Sequence, residues 1–282
     1  MAKFYSEKEI KFIIDNYNKL GTKNCAKIFN VSVENFRARL NRLNIKAIGN
    51  PFPELSDDQV ENIRKEISIK KLNVNFDTNE NKKELAYFLG YFWADGYINK
   101  NNCLIIEITQ EDGEQILPIF QKLADFNIYY RTRINRKPQM TFYTSSKEVC
   151  DLFKTLGKYP NSIESHDKIL KYIPKEYHQW FLRGFIDGDG CFYLNQNNNC
   201  VQFSICGAEN QNWTSMLQLC IDFGLTNAKI CKRSQTSGNS SIIRSTSKHT
   251  IINFINNLYN DLDNIWLNRK FIKAIKIKNG IK

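Results

Sequence analysis

Phe88-Leu89-Gly90-Tyr91-Phe92-Trp93-Ala94-Asp95-Gly96 and Leu182-Arg183-Gly184-Phe185-Ile186-Asp187-Gly188-Asp189-Gly190 are two versions of one design. Each is an apolar run with small residues four apart, closed by an aspartate and a glycine. Gly90 matches Gly184 and Asp95 matches Asp189, both at an offset of 94 residues. On a helix, Gly90 and Ala94 share one face, as do Gly184 and Gly188. Small residues at that spacing let two helix backbones approach closely. Tyr91, Phe92, Phe185 and Ile186 are then free to pack into the rest of each half. Gly96 and Gly190 are expected to form the turns that end the helices.

If the helices pair, Asp95 and Asp189 meet at two helix C-termini, where the dipole disfavours negative charge. The two carboxylates also repel each other. Such an arrangement calls for a cation, and hard carboxylate oxygens suit Mg²⁺. Paired carboxylates with Mg²⁺ suit phosphodiester hydrolysis. A single Asp-Gly turn after a buried helix would be an ordinary structural feature. Two copies in register, each with its own small-residue face, are not.

The elements around the motifs repeat as well. After the first come Tyr97-Ile98-Asn99 and a strand from Leu104 to Thr109. A helix over 114–126, strands over 129–136 and 139–145, and a helix over 147–156 follow. After the second come strands over 191–196 and 200–206, a helix over 210–223, strands over 228–233 and 241–247, and a helix over 248–259. Each half therefore reads helix-strand-strand-helix-strand-strand-helix, the mark of a duplication with pseudo-two-fold symmetry.

These motifs resemble the signature of the LAGLIDADG homing endonucleases, and the repeat resembles their single-chain, two-motif form. Ile173-Pro174 and the run from Trp180 to Gly184 are also similar to that family. The resemblance covers residues 84 to 275. It implies an α+β fold of two αββαββα halves whose antiparallel sheets form a saddle over double-stranded DNA. It places the metal-binding acidic position on Asp95 and Asp189. Trp93 departs from the usual acidic residue at its position, which Asp187 keeps. The resemblance also implies a basic catalytic helper in each half. In the second half this is Lys270 or its neighbour Arg269. In the first half Asn161 stands where a lysine is common, leaving Lys158 as the substitute. Glu107 and Ser204 occupy strand positions that could help place the metal or its water.

Strand alternation gives the DNA-facing set. In the first half it turns Tyr129, Arg131, Arg133, Asn135, Gln139, Thr141 and Tyr143 outward, and Tyr130, Thr132, Ile134, Met140 and Phe142 inward. In the second it turns Tyr193, Asn195, Gln202, Ser204, Lys229, Arg233 and Arg244 outward. Arg, Asn and Gln can bond base edges, while Lys and Arg neutralise phosphates.

Charge agrees with an anionic partner. The 282 residues hold 40 Lys and Arg against 29 Asp and Glu, a net charge of +11. Residues 1–48 hold ten basic and four acidic residues, more than half of that surplus. They read as three short helices. Ser6 caps the first with Glu9 completing a capping box, Gly21-Thr22 breaks the chain, and Ser32 caps the third. With Asn35, Arg37, Arg39 and Arg42 on its outer face, this resembles a helix-turn-helix. Residues 49–83 read as a linker with one helix after Pro51 and Pro53. The LAGLIDADG halves then span 84–170 and 171–282.

The eight cysteines lack a C-x-x-C pair, and His166, His178 and His249 lack zinc spacing. Buried reduced thiols are therefore expected. No apolar run reaches transmembrane length, and Met1-Ala2-Lys3 opens neither a signal peptide nor an intein, whose first residue would be Cys or Ser. The expectation is a monomeric, Mg²⁺-dependent, site-specific DNA endonuclease without a membrane partner. Its compartment would be the cytoplasm, an organellar matrix or a phage-infected host. The alternatives on the same fold are an intron RNA maturase and a catalytically inactive DNA-binding regulator.

Overall fold

The computed structural model describes residues 7–49, 52–68, 70–132, 137–158, 165–195, 200–233, 239–261 and 263–280. The chain divides into two compact units, Met1–Lys70 and Lys71–Lys282.

The described part of the first unit is helical. Helix α1 (Glu7–Ile28) is broken at Gly21, whose φ of 73° is left-handed, so two helices meet at the expected Gly21-Thr22 break. Helix α2 (Val33–Arg42) starts at Ser32, whose hydroxyl accepts from the Asn35 N–H at 3.2 Å. Ile13, Tyr17, Cys25, Phe29, Phe36 and Leu40 make the core, and the Phe29 and Phe36 rings stack at 5.9 Å. Ser6 lies outside the described residues, as does Pro51.

Helix α3 (Asp57–Ile67) opens on a capping box of Ser56 and Gln59. The sequence places it in a linker over 49–83. The fold corrects that boundary, because Val60 and Ile67 complete the first unit's core. Arg64 donates to the carbonyls of Ile28 and Lys27 at 2.9 and 2.8 Å. From Lys71 on, that stretch belongs to the second unit, where Leu72, Val74 and Phe76 are buried.

The second unit holds the two halves. The first runs α4 (Lys82–Asp95), β1 (Gly96–Ile98), β2 (Cys103–Thr109), α5 (Gln110–Gln121), β3 (Asn127–Arg131), β4 (Gln139–Ser145) and α6 (Lys147–Thr155). A short helix α7 (Asp167–Tyr172) and a 3₁₀ turn (Lys175–Tyr177) lead into the second half. That half runs α8 (His178–Asp189), β5 (Gly190–Asn195), β6 (Cys200–Ala208), α9 (Thr214–Asp222), β7 (Lys229–Arg233), β8 (Ser240–Ser245) and α10 (Lys248–Leu258). Helix α11 (Asn268–Asn279) follows. The sheets are antiparallel, ordered β1-β2-β4-β3 and β5-β6-β8-β7. Both halves are αββαββα.

Alternation buries one face of each sheet. Leu104, Ile106, Ile108, Met140 and Phe142 go inward in the first, and Phe192, Val201, Phe203, Ile205 and Ile243 in the second. Phe120 of α5 ties α4 to β4, its ring 5.1 Å from Phe88 and 5.4 Å from Phe142. Phe203 does the same between Phe192 at 4.9 Å and Phe254 at 5.0 Å.

Three expectations differ here. Tyr130 keeps its inward register opposite Met140 but is 51% exposed, because β3 is an edge strand with no neighbour to cover it. Helix α5 begins at Gln110 rather than Glu114, and its first turn buries Asp112 against Arg269. Of the eight cysteines, Cys25, Cys150 and Cys220 are buried, whereas Cys191 and Cys200 are exposed.

Candidate active site

The site is made by the crossing of α4 and α8. A Cβ added at Gly90 would overlap the carbonyl oxygen of Phe181, and one at Gly184 would overlap that of Tyr87. Tyr87 and Phe181 stand 94 residues apart, as Gly90 and Gly184 do, so the contact repeats itself about a pseudo-two-fold axis. Backbone thus lies on backbone, which larger residues would forbid. Further along, a Cβ at Gly188 would press on Ala94 and lie 3.3 Å from Asp95 Oδ2. The Asp95 carboxylate therefore sits over the residue that precedes Asp189.

Gly96 and Gly190 have another role than the one expected. Their φ angles of −83° and −85° are extended, not left-handed. They are glycines for space: a Cβ would strike the ring of Phe92 at one and Ile186 at the other.

Burial raises the pKa of Asp95, against the pull of Lys270 and Lys158 and a hydrogen bond from the Tyr91 hydroxyl. Asp189 is pushed up to about 7, first by burial and then by the charge of Asp95. The two carboxylates titrate as a pair, and a charge on one raises the cost of ionising the other. Two hard-oxygen donors that resist being charged together fit a divalent cation that would relieve both costs. Among the described residues no group of three or more His, Cys, Asp or Glu could hold a metal ion. Any ion here would complete its shell with water or substrate oxygens.

The two expected lysines arrive at equivalent places. Lys158 is 6% exposed and donates to the Trp93 carbonyl at 2.7 Å. Lys270 is 5% exposed and donates to the carbonyls of Ile186, Asp187 and Gly188 at 2.7, 2.6 and 3.0 Å. Trp93 and Asp187 are again 94 apart. Each lysine satisfies free carbonyls at a motif helix's C-terminus and offsets its dipole. Burial lowers the pKa of Lys158 to about 8 and also lowers that of Lys270, where Asp187 works against it. Arg269, the alternative to Lys270, instead grips Asp112 through two contacts of 2.8 Å. Asn161 lies outside the described residues.

The departure at Trp93 has a partner. Asp187 is buried, accepting from the Tyr87 hydroxyl at 2.8 Å and the Leu267 N–H at 2.7 Å. Burial raises its pKa to about 6, and its Oδ1 has no hydrogen-bond partner among the described residues. The positions related to Tyr87 and Asp187 are Phe181 and Trp93. One side of the crossing thus carries a polar pair and the other an apolar pair. Arg183 deepens the asymmetry: fully buried, it donates to the Leu258 carbonyl at 2.6 Å and pairs with Asp261. Its counterpart is Leu89.

A cleft of about 480 Å³ opens beside Asp189 and Lys158, walled by Trp93, Tyr97, Phe185, His166 and Trp213. His166, set aside in the sequence for lack of zinc spacing, is 2% exposed there. Burial lowers its pKa to about 4, so it is neutral at physiological pH. Asp112 and His166 carry no signal in the sequence, because only the fold brings them near the site, whereas Tyr91 stands one helical turn before Asp95, a position the sequence reading gives to packing alone.

The expected outward residues share one face of each sheet. Tyr143, Thr141 and Gln139 of β4 register with Asn127, Tyr129 and Arg131 of β3. Tyr193 registers with Gln202, and Ser204 with Arg244, which registers with Lys229. Arg133, Ile134 and Asn135 lie outside the described residues. Glu107 is exposed and accepts from the Tyr97 hydroxyl at 3.3 Å. Ser204 is buried and is not its counterpart: Gly96 registers with Ile106 and Gly190 with Ile205, which makes Cys206 the equivalent of Glu107.

Comparison with known proteins agrees with this geometry. Residues 82–157 match the family model of a LAGLIDADG-like domain, and residues 182–275 that of the LAGLIDADG endonuclease. The solved structure of the homing endonuclease I-WcaI bound to its DNA recognition sequence aligns over 79% of this chain and 95% of its own. Its TM-score is 0.51 and its identity 17%, a likeness of fold. The N-terminal LAGLIDADG domain of DUF199/WhiA aligns over 67% of this chain and 87% of its own, with a TM-score of 0.44 and 14% identity. A probable translation initiation factor IF-2 of Methanocaldococcus jannaschii is 31% identical over 123 residues. That match takes in 41% of this chain, which spans a tenth of this curated relative's length (10%). Among the described residues no helix is long and apolar enough to cross a membrane.

Proposed function

The chain belongs to the LAGLIDADG family, in its single-chain two-motif form, and from that premise we propose that it is a site-specific endonuclease of double-stranded DNA. The observation that carries this reading is the meeting of Asp95 and Asp189 at the ends of two closely crossed helices. Desolvation raises both pKa values there, and the Asp95 charge adds to the rise at Asp189. A structural carboxylate would be placed to avoid that cost, whereas a cation site accepts it.

Asp95 and Asp189 would hold Mg²⁺, which suits oxygen donors and retains open positions for water and phosphate. When bound, the ion would neutralise charge on the phosphoryl oxygens and activate water for phosphodiester hydrolysis. The chain's own groups do the rest. Lys158 and Lys270 anchor the last turns of α4 and α8 by their carbonyls, which fixes the two aspartates against each other. Their charges offset those of the scissile phosphates. The Tyr91 hydroxyl orients Asp95, while Phe185 leaves Asp189 without an equivalent donor. The two centres are therefore unequal, and one strand should be cut faster than the other.

The outward sheet residues read the duplex, and the first unit adds a second contact through Asn35, Arg37 and Arg42 on α2, all exposed, in the manner of a recognition helix. A monomer suffices, because both motifs lie in one chain. Cleavage-site selection from a randomised duplex library, with purified protein and Mg²⁺, tests the proposal. Recovery of one cut sequence supports it. Binding without cleavage would favour a DNA-binding regulator, and rescue of intron splicing without DNA cleavage would favour an RNA maturase.

A further inference from the structure

The two sheets carry unlike chemistry on equivalent rows of their outward faces. On the first sheet one row runs Tyr97, Ile105, Tyr143, Asn127 across β1, β2, β4 and β3. On the second the equivalent row runs Cys191, Ser204, Arg244, Lys229 across β5, β6, β8 and β7. Tyr97 and Cys191 each stand two residues after a motif aspartate, so these rows lie beside the active centre. One row presents two phenol rings and an isoleucine, and the other presents a guanidinium beside an ammonium.

The contrast continues in the neighbouring row, which the registers of Gly96 with Ile106 and Gly190 with Ile205 set level with the aspartates. Glu107, Thr141 and Tyr129 face Cys206, Ile242 and Cys231 in the equivalent positions. Tyr97, Tyr129 and Tyr143 are 44%, 60% and 37% exposed. They are not core residues at a sheet edge, because their register places them on the face opposite Ile106, Met140 and Phe142. The sole charge in these two rows of the first sheet is the carboxylate of Glu107. Only in the third row do the halves converge, with Arg131 on β3 and Arg233 on β7. Arg244 and Lys229 also line a groove of about 560 Å³ with Asn227 and Cys231, a concavity that can seat a base edge.

Resting on the DNA reading above, we infer which bases the two unlike halves read beside the active centre. The inner base pairs under the second sheet include guanine, read by Arg244, and those under the first include thymine, read by Tyr143 with Tyr97 and Ile105. The chemistry is direct. A guanidinium bonds both O6 and N7 of guanine in the major groove, and apolar side chains contact the thymine methyl. The inner rows of the first sheet hold no cation to make the first contact. The equivalent row of the second holds no ring or aliphatic side chain to make the other.

The test is binding-site selection with the full chain on a randomised duplex library in EDTA, so that nothing is cut. The expected motif is not a palindrome. Arg244→Ala should lower discrimination at a single guanine position by about 5- to 150-fold, the range for one bidentate base contact, and leave the other half unchanged. In the other half, deoxyuridine in place of thymidine removes the methyl and should weaken binding about fourfold. Tyr143→Ala should abolish that difference. Both side chains are exposed, and an unchanged thermal midpoint confirms each variant's fold. A palindromic motif, a guanine preference that survives Arg244→Ala, or uracil bound as well as thymine overturns the inference alone. Absence of any enriched motif overturns the site-specific reading beneath it as well.

Discussion

Replacing Asp189 by asparagine should stabilise the metal-free protein above neutral pH. In the folded chain burial and the Asp95 charge raise the Asp189 pKa from 3.8 to about 7. The folded state therefore keeps its proton where the unfolded state has lost it. Stability from this group is full below the unfolded pKa and is lost as pH rises through about 7. At 1.36 kcal/mol per unit, a shift of roughly three units approaches 4 kcal/mol, and about 3 remains after discounting for solvent at the half-buried carboxylate. Asparagine cannot ionise, so the variant escapes that loss. The assay is urea unfolding in EDTA followed by tryptophan fluorescence. Trp93, Trp180, Trp213 and Trp266 all lie in the second unit, so the signal reports that unit alone. The variant should lead by only about 1 kcal/mol at about pH 5, and by about 3 kcal/mol at about pH 8. Mg²⁺ should stabilise the wild type at the higher pH and the variant much less. A variant that is equally or less stable at both pH values in EDTA would refute the argument from repulsion.

Other substitutions probe the rest of the framework. Gly184→Ala should destabilise the second unit by at least about 3 kcal/mol, since overpacking against backbone cannot relax by a rotamer change; an unchanged urea midpoint would contradict the close crossing. Arg183→Ala should cost about 3–5 kcal/mol by emptying the fully buried space among Trp180, Tyr259 and Trp266 and removing the ion pair with Asp261, measured the same way. Arg37→Ala with Arg42→Ala should reduce the slope of log affinity against log salt by about two, one for each lost phosphate contact. A parallel slope would make the first unit a packing module.

The paired motif helices were legible because the constraint is local and written twice. Glycines four apart, a terminal aspartate and a common offset leave little else for Gly90 and Gly184 to mean. Strand faces were legible from alternation, and Met140 and Phe142 lie inward as expected. Alternation says nothing of where a strand sits in its sheet, which is why Tyr130 was placed in a core it only borders. Helix α3 shows a related limit. An amphipathic helix declares its apolar face but not its partner, and Val60 and Ile67 could have served either unit. The ends of the motif helices depend on distant residues. Lys158, Lys270, Asp112 and Arg269 reach them from separate elements, and the pairing of Tyr87 with Asp187 against Phe181 with Trp93 emerges only once the helices are crossed.

The account stands on Asp95 and Asp189 acting as one metal-holding pair. The most direct measurement is cleavage of the selected duplex in Mg²⁺ by Asp95→Asn and Asp189→Asn, alongside binding of the same duplex in EDTA. Both variants should bind like the wild type and fail to cut both strands, because one carboxylate cannot hold the ion that two share. Double-strand cleavage retained by both variants would contradict the assignment.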